Sequence, residues 1–225
     1  MNLIDQALAF LTDPKNWTGA AGIPQRMLEH LGYTALTMAI ALIIAVPLGL
    51  WVGHTGRGSG VVVGITGALR SLPTLGLLTL FTLLMGLGLL PPILALVLLA
   101  IPPILSGTYS GVASVSPALV DGARAMGMTE RQTLTRVEIP VALPVILGGI
   151  RNAALQVLAT VTIVAYINLG GLGRYLIDGL AVRDYARMLA SVVLVAVLAL
   201  AADAILALIQ RLVTSPGLRL AGERS

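Results

Sequence analysis

The sequence predicts an all-α polytopic membrane protein with five transmembrane helices, a pair of short helices in a polar loop, and a short N-terminal interfacial helix. Three observations carry that prediction. The 225 residues are 57% hydrophobic and 11% charged, with a mean hydropathy of +0.95. Soluble domains carry about 25% charged residues, and a chain of this length cannot hide so much apolar surface from water, so lipid is the solvent for much of it. No Asp, Glu, Lys or Arg occurs from Ser71 to Val120, nor from Asn152 to Gly173. Between those stretches lies a polar island, Asp121 to Pro140, reading DGARAMGMTERQTLTRVEIP and carrying six charged residues.

Taken in order, Leu3, Ile4, Ala7, Leu8 and Leu11 recur at helical spacing. They predict an amphipathic helix on the membrane surface, with a frayed terminus as the alternative. A cleavable signal is not expected, because no basic residue precedes the apolar run and Asp5 interrupts it. About 20 apolar residues cross the hydrocarbon core as a helix. Five segments qualify: Tyr33 to Val52, Gly60 to Gly86 with Arg70 inside, Ile93 to Val112, Val141 to Ile163, and Tyr185 to Leu212. Gly86-Leu87-Gly88 and Pro91-Pro92 predict a tight turn between the second and third. Pro47, Pro73, Pro102, Pro103 and Pro144 lie in or near spans and are expected to bend them. Gly49, Gly53, Gly60 and Gly64, and again Gly107 and Gly111, have the small-xxx-small spacing of close helix contacts, within the chain or between subunits.

The basic residues orient the chain. Arg57, Arg124, Arg131, Arg136, Arg211, Arg219 and Arg224 fall on one side, against Lys15, Arg26, Arg174, Arg183 and Arg187 on the other. The excess places the island and the C-terminus in the cytoplasm and the N-terminus outside. The expected organisation is an external segment at 1–30, a transmembrane domain at 31–212 with the polar loop at 116–140, and a cytoplasmic tail at 213–225.

Local rules give the island a shape. Ser116-Pro117 starts a helix, as N-cap and first helical residue. Gly127 suits the left-handed residue that ends one. Thr129 to Gln132 reads as a capping box, and a second helix is expected to stop before Pro140.

Several chemistries are excluded. The chain has no cysteine, hence no disulfide or thiolate metal site. Its only lysine, Lys15, is followed by Asn16, so no phosphate-binding Gly-Lys-Ser/Thr loop exists. Basic residues are scattered, which argues against nucleic acid. His30 and His54 are isolated and read as surface groups near the membrane interface. No catalytic or metal-ligating set is apparent.

The island resembles the cytoplasmic motif of binding-protein-dependent ABC importer permeases: Glu-Ala-Ala, three residues, Gly, nine residues, Ile-x-Leu-Pro. Here it stands as Asp121-Gly122-Ala123, Gly127, and Val137-Glu138-Ile139-Pro140, with every interval kept. The departures are Asp for Glu, Gly for the first Ala, and Val and Ile for Ile and Leu. The resemblance implies a coupling-helix pair seated in an ATPase groove, with Asp121, Gly122, Ala123, Arg124, Gly127, Glu130, Val137, Ile139 and Pro140 as coupling residues. Arg124, Glu130 and Arg131 are expected at the rim as ion-pair partners of the ATPase.

From about Gly32 to Gln210 the chain is similar to permeases for glycine betaine, choline and carnitine. The similarity is carried by Arg70-Ser71-Leu72-Pro73-Thr74-Leu75, by Ile101-Pro102-Pro103-Ile104-Leu105 with Thr108-Tyr109, and by Asn168-Leu169-Gly170-Gly171-Leu172-Gly173 with Asp178-Gly179-Leu180. It implies ATPase subunits inside, a second permease subunit, and a separate substrate-binding protein outside. ATP is then bound by the partner, and this chain holds no cofactor. Arg70, Tyr109, Asn152, Gln156, Thr160, Tyr166 and Asn168 are candidates for the translocation path. Asn152, Gln156 and Thr160 form one helical stripe, which either faces that path or only bonds neighbouring helices. Tyr166, Tyr175 and Tyr185 offer faces to a quaternary ammonium. Alternatives are an importer of methionine, nitrate or a sulfonate, an ion-driven transporter, for which Asp203 is the one suitable intramembrane acid, and a membrane scaffold or enzyme without transport.

Overall fold

The computed structural model describes residues 2–213. The expected tail at 213–225 lies outside the described residues except for Val213. Helix α1 (Leu3–Thr12) is followed by a 3₁₀ turn (Pro14–Trp17), α2 (Ile23–Thr55), α3 (Ser59–Ser71), α4 (Thr74–Met85) and α5 (Leu90–Ala113). Then come α6 (Pro117–Ala125), α7 (Glu130–Thr133), a π-helical turn (Leu134–Glu138), α8 (Ile139–Thr160), a 3₁₀ run (Val161–Ile167), α9 (Gly173–Val182) and α10 (Tyr185–Val213). Four stretches are long and apolar enough to cross a bilayer, and the bent pair α3 and α4 makes a fifth if it counts as one span.

Three boundaries depart from expectation. α2 begins at Ile23, ten residues before Tyr33. Its first turns carry Arg26 and Glu29, which pair at 3.0 Å, so charge extends the helix rather than ending it. The segment from Gly60 to Gly86 is not one helix. It breaks at Leu72-Pro73, because a proline excludes the residue before it from the α region and brings no N–H. Finally, no helix stops before Pro140. α7, the π turn and α8 run on without interruption, and the Ile139 N–H reaches back to the Leu134 carbonyl across the wider turn.

The chain divides into two compact units. One comprises the residues up to Ala39, Leu72–Leu99 and Ala154–Asp203. In its core, Ile23, Leu172, Tyr175 and Leu194 meet Phe10, Leu11 and Met27. Asn2 and Asp5 form a capping box on α1, a helix that buries Ala7 and leaves Leu3, Ile4 and Leu8 exposed. Tyr175 is 3% exposed. Phe10 meets its ring edge-on at 5.5 Å, Arg187 lies over its face at 5.3 Å, and its hydroxyl donates to the Ala21 carbonyl. Burial pushes its phenol above the ordinary value, so it remains a donor. The Glu29 carboxylate accepts from Arg26 and, at 2.8 Å, from the N–H of Gly171. His30 is fully buried and its Nε2 donates to the Leu158 carbonyl at 2.8 Å, so it is no surface group.

The other unit comprises Ile40–Ser71, Ala100–Ala153 and the residues from Ala204 on. Here glycines set the helix spacing. A Cβ on Gly107 would lie 2.7 Å from the Cα of Gly149, and one on Gly149 would lie 2.7 Å from the Pro103 carbonyl oxygen. α5 and α8 therefore touch backbone to backbone. Gly49 and Gly53 of α2 lie as close to Thr108 and Val112 of α5. Gly60 and Gly64, read as part of the same stripe, meet nothing within 4 Å.

Gly149→Ala is expected to lower stability by about 1–3 kcal/mol, the usual range for overpacking. It would appear as a lower melting temperature of the purified chain in detergent, while Gly64→Ala leaves that temperature unchanged or slightly raised. Glu29→Ala removes the acceptor for both Arg26 and the Gly171 N–H. Hydrogen exchange at 168–172 should then quicken at least several-fold, with 100–150 unaffected.

Candidate functional site

The polar island is built as local rules require. Pro117 occupies the first position of α6, although the Ser116 side chain makes no capping bond. The C-terminus of α6 closes with two reaching bonds: the Met128 N–H to the Ala123 carbonyl at 3.2 Å, and the Gly127 N–H to the Arg124 carbonyl at 2.9 Å. This is the Schellman arrangement, which needs a left-handed residue at its turn. Gly127 supplies it with φ +85. A Cβ there meets nothing within 4 Å, so within this chain Gly127 serves the turn and not a close approach. Thr129 then caps α7. Its hydroxyl accepts from the Gln132 N–H at 3.3 Å, and the Gln132 side chain accepts from the Thr129 N–H at 2.8 Å.

α6 has two faces. Val120 and Ala123 are buried, Val120 in a cluster with Val112, Val115, Ala142 and Ile146. Asp121, Gly122, Arg124, Gly127 and Glu130 are exposed, as is Pro140. Val137 and Ile139 are half-buried. Leu119 and Met126 are exposed too, Met126 at 75%. With Gly122 they form an i, i+3, i+7 stripe on the side away from Val120. Sequence reasoning passed over Leu119 and Met126, although their spacing was available.

Two of the rim charges pair within the chain. Arg124 engages Glu130 of the same chain through two parallel bonds, Nε to Oε1 at 3.0 Å and Nη2 to Oε2 at 2.9 Å. Asp121 lies 3.7 Å from the same guanidinium. The hydrogen bond to Glu130 is the main reason the guanidinium is held above its ordinary pKa. Within this chain Arg124 and Glu130 satisfy each other.

The path candidates lie on several elements. Arg70 is exposed at the end of α3, Tyr109 is half-buried in α5, and Asn152 and Gln156 are exposed on α8. Thr160 donates to the Gln156 carbonyl of its own helix, which satisfies its hydroxyl locally. Tyr166 is 62% exposed. Asn168 ends the 3₁₀ run in the left-handed region, with its Oδ1 accepting from Arg174. Among the described residues, no other hydrogen bond or ion pair joins any two of these seven. Tyr175 offers no face to a ligand, since Arg187 already covers it. Tyr166 and Tyr185 keep exposed rings.

Comparison with known proteins fits this architecture. Residues 45–215 match the family model described as binding-protein-dependent transport system inner membrane component. The permease OpuCB of the glycine betaine/carnitine/choline transport system of Bacillus subtilis is 35% identical, over 85% of this chain and 88% of that one. The osmoprotectant import permease OsmW of Salmonella typhimurium is 36% identical, over 85% and 91%. Among solved structures, the inward-facing MetNI methionine ABC transporter aligns with a TM-score of 0.77 at 23% identity, over 91% of this chain and all of that one. An amino acid ABC transporter aligns with a TM-score of 0.69 at 21% identity, over 91% and 97%. With a family match over most of its length and relatives above 30% identity along more than four fifths of it, the chain belongs to the binding-protein-dependent ABC importer permeases, multi-pass proteins of the inner membrane.

Proposed function

We propose that this permease carries an osmoprotectant of the quaternary ammonium class, such as glycine betaine, choline or carnitine, and takes its driving force from ATP bound and hydrolysed on partner subunits. The observation that carries the coupling half of the reading is the α6–α7 pair, a Schellman turn at Gly127 followed by the Thr129–Gln132 capping box. The two short helices are held rigidly by their own caps. α6 is anchored by Val120 and Ala123, and it turns Leu119, Gly122 and Met126 outward. A partner groove meets an apolar stripe there, which suits a docking core better than the exposed charges do. Asp121, Gly122, Ala123, Arg124, Gly127, Glu130, Val137, Ile139 and Pro140 stay assigned to coupling. Ala123 serves as an inward anchor, and Arg124 with Glu130 as the brace between the two helices.

The cargo half is supported by relatives at 33–35% identity whose names give glycine betaine, carnitine or choline, and by one at 36% whose name gives an osmoprotectant. The likeness to the methionine and amino acid transporters is a likeness of fold. Two permease subunits pair, two ATPase subunits dock on the cytoplasmic side with the C-terminus, and a separate binding protein delivers solute on the side of the N-terminus. Alternating access is then a two-state change driven through the coupling pair. Arg70, Tyr109, Asn152, Gln156, Thr160, Tyr166 and Asn168 stay assigned to the path, with Tyr166 and Tyr185 as the open aromatic faces. This chain supplies no catalytic group and no cofactor in that scheme.

A tagged chain purified gently from its membrane is expected to bring down an ATPase subunit. Gly127→Asp, which puts a side chain and a charge into the turn, should insert normally and lose at least about nine tenths of that ATPase; equal recovery with the variant sinks the coupling assignment. Uptake of labelled glycine betaine by cells that express the system should fall at least several-fold under excess choline or carnitine. Uptake that only methionine, nitrate or a sulfonate suppresses would reassign the cargo.

A further inference from the structure

The last turn of α2 brings His54 among the coupling residues. Its Nδ1 lies 2.6 Å from Glu138 Oε2, and its Nε2 lies 3.2 Å from Glu130 Oε2. The two glutamates come from different pieces of the chain. Glu130 is the first residue of α7, and Glu138 is the last of the π turn. A carboxylate only accepts, and a neutral imidazole has a single N–H. Both contacts are hydrogen bonds together only when the ring carries both protons. Glu130 is also the partner of Arg124 on α6, with Asp121 beside it. The resulting line of contacts alternates in sign: Asp121, Arg124, Glu130, His54, Glu138.

Burial decides which link matters. The side chain of Glu130 is 62% exposed, so its contacts are screened and weak. The side chains of His54 and Glu138 are 13% and 5% exposed. A carboxylate so enclosed is costly unless a charge-assisted hydrogen bond meets it, and His54 is that partner. Other contacts in this region are apolar, with Leu50 of α2 against the cluster that holds Val120. Apolar contact is non-directional and tolerates sliding. The directed bond between His54 and Glu138, with Glu130 at the other ring nitrogen, fixes register.

We propose that His54 is the positioning residue through which the coupling-helix pair grips α2. Its ring, set between Glu130 and Glu138, makes the end of α2 move with α6 and α7. The proposal rests on the reading of 121–140 as the ATPase-docking element. Displacement of the pair by the ATPase would otherwise reach α2 through helix packing alone, at Leu50 and at the contacts of Gly49 and Gly53 with α5.

The test is hydrogen exchange on the purified permease–ATPase complex, with and without a non-hydrolysable ATP analogue. In the wild type, the nucleotide should change protection both at 117–133 and in the last turn of α2, residues 50–55. In His54→Gln, and separately in Glu138→Gln, the change at 117–133 should persist and that at 50–55 should shrink at least about fivefold. His54→Arg keeps the charge and several donors, and a pocket of about 200 Å³ lined by His54, Asp121, Arg124 and Glu138 gives it room; it should restore the response. An undiminished response at 50–55 in both Gln variants overturns the proposal. So does protection there that is already lost in both without nucleotide, since His54 would then be a structural anchor only. Absence of an ATPase from the wild-type complex, or no response at 117–133, overturns the coupling reading itself.

Discussion

The close backbone approach of α5 and α8 at Gly107 and Gly149 governs the unit that carries the coupling pair. In lipid no hydrophobic effect drives helices together, so contact area and close packing must hold them. Here two helices meet without intervening side chains, and α2 joins through Gly49 and Gly53 against the other side of α5. α5 leads into α6, and α8 is the continuation of the π turn that follows α7. Where α5 and α8 touch therefore sets where both ends of the coupling loop start and finish.

On that base the coupling pair is rigid by local chemistry and oriented by burial. The Schellman bonds and the capping box determine the angle at Gly127, and the inward side chains Val120 and Ala123 determine which way α6 faces. What remains outside is a short apolar stripe. Arg124 and Glu130 brace the two helices against each other.

The unit containing α9 is organised differently, around polar contacts that would be expensive if left unmet. Glu29 gathers Arg26 and the Gly171 N–H, Tyr175 is held by Phe10, Arg187 and the Ala21 carbonyl, and Asp178 takes both Arg174 and Arg187. These join the loop after the 3₁₀ run to the start of α2.

The sequence by itself determined the all-helical membrane class, the course of α5, α8 and α10 to within a few residues, and the turn at Gly127 with its capping box. Each rests on a rule that operates within a few turns of helix: apolar length against bilayer thickness, a left-handed φ, an i to i+3 cap. It also carried the motif spacing that identified the family. Only the tertiary structure decided that His54 faces Glu138, 84 residues away, that Glu29 holds Gly171, 142 residues away, that His30 is buried, and that Tyr175 is already covered. It alone separated Gly49 and Gly53, which are packed, from Gly60 and Gly64, which are open. A histidine or a glycine carries the same letter in either setting. What distinguishes the settings is which distant side chain or backbone arrives opposite, and no local periodicity encodes that.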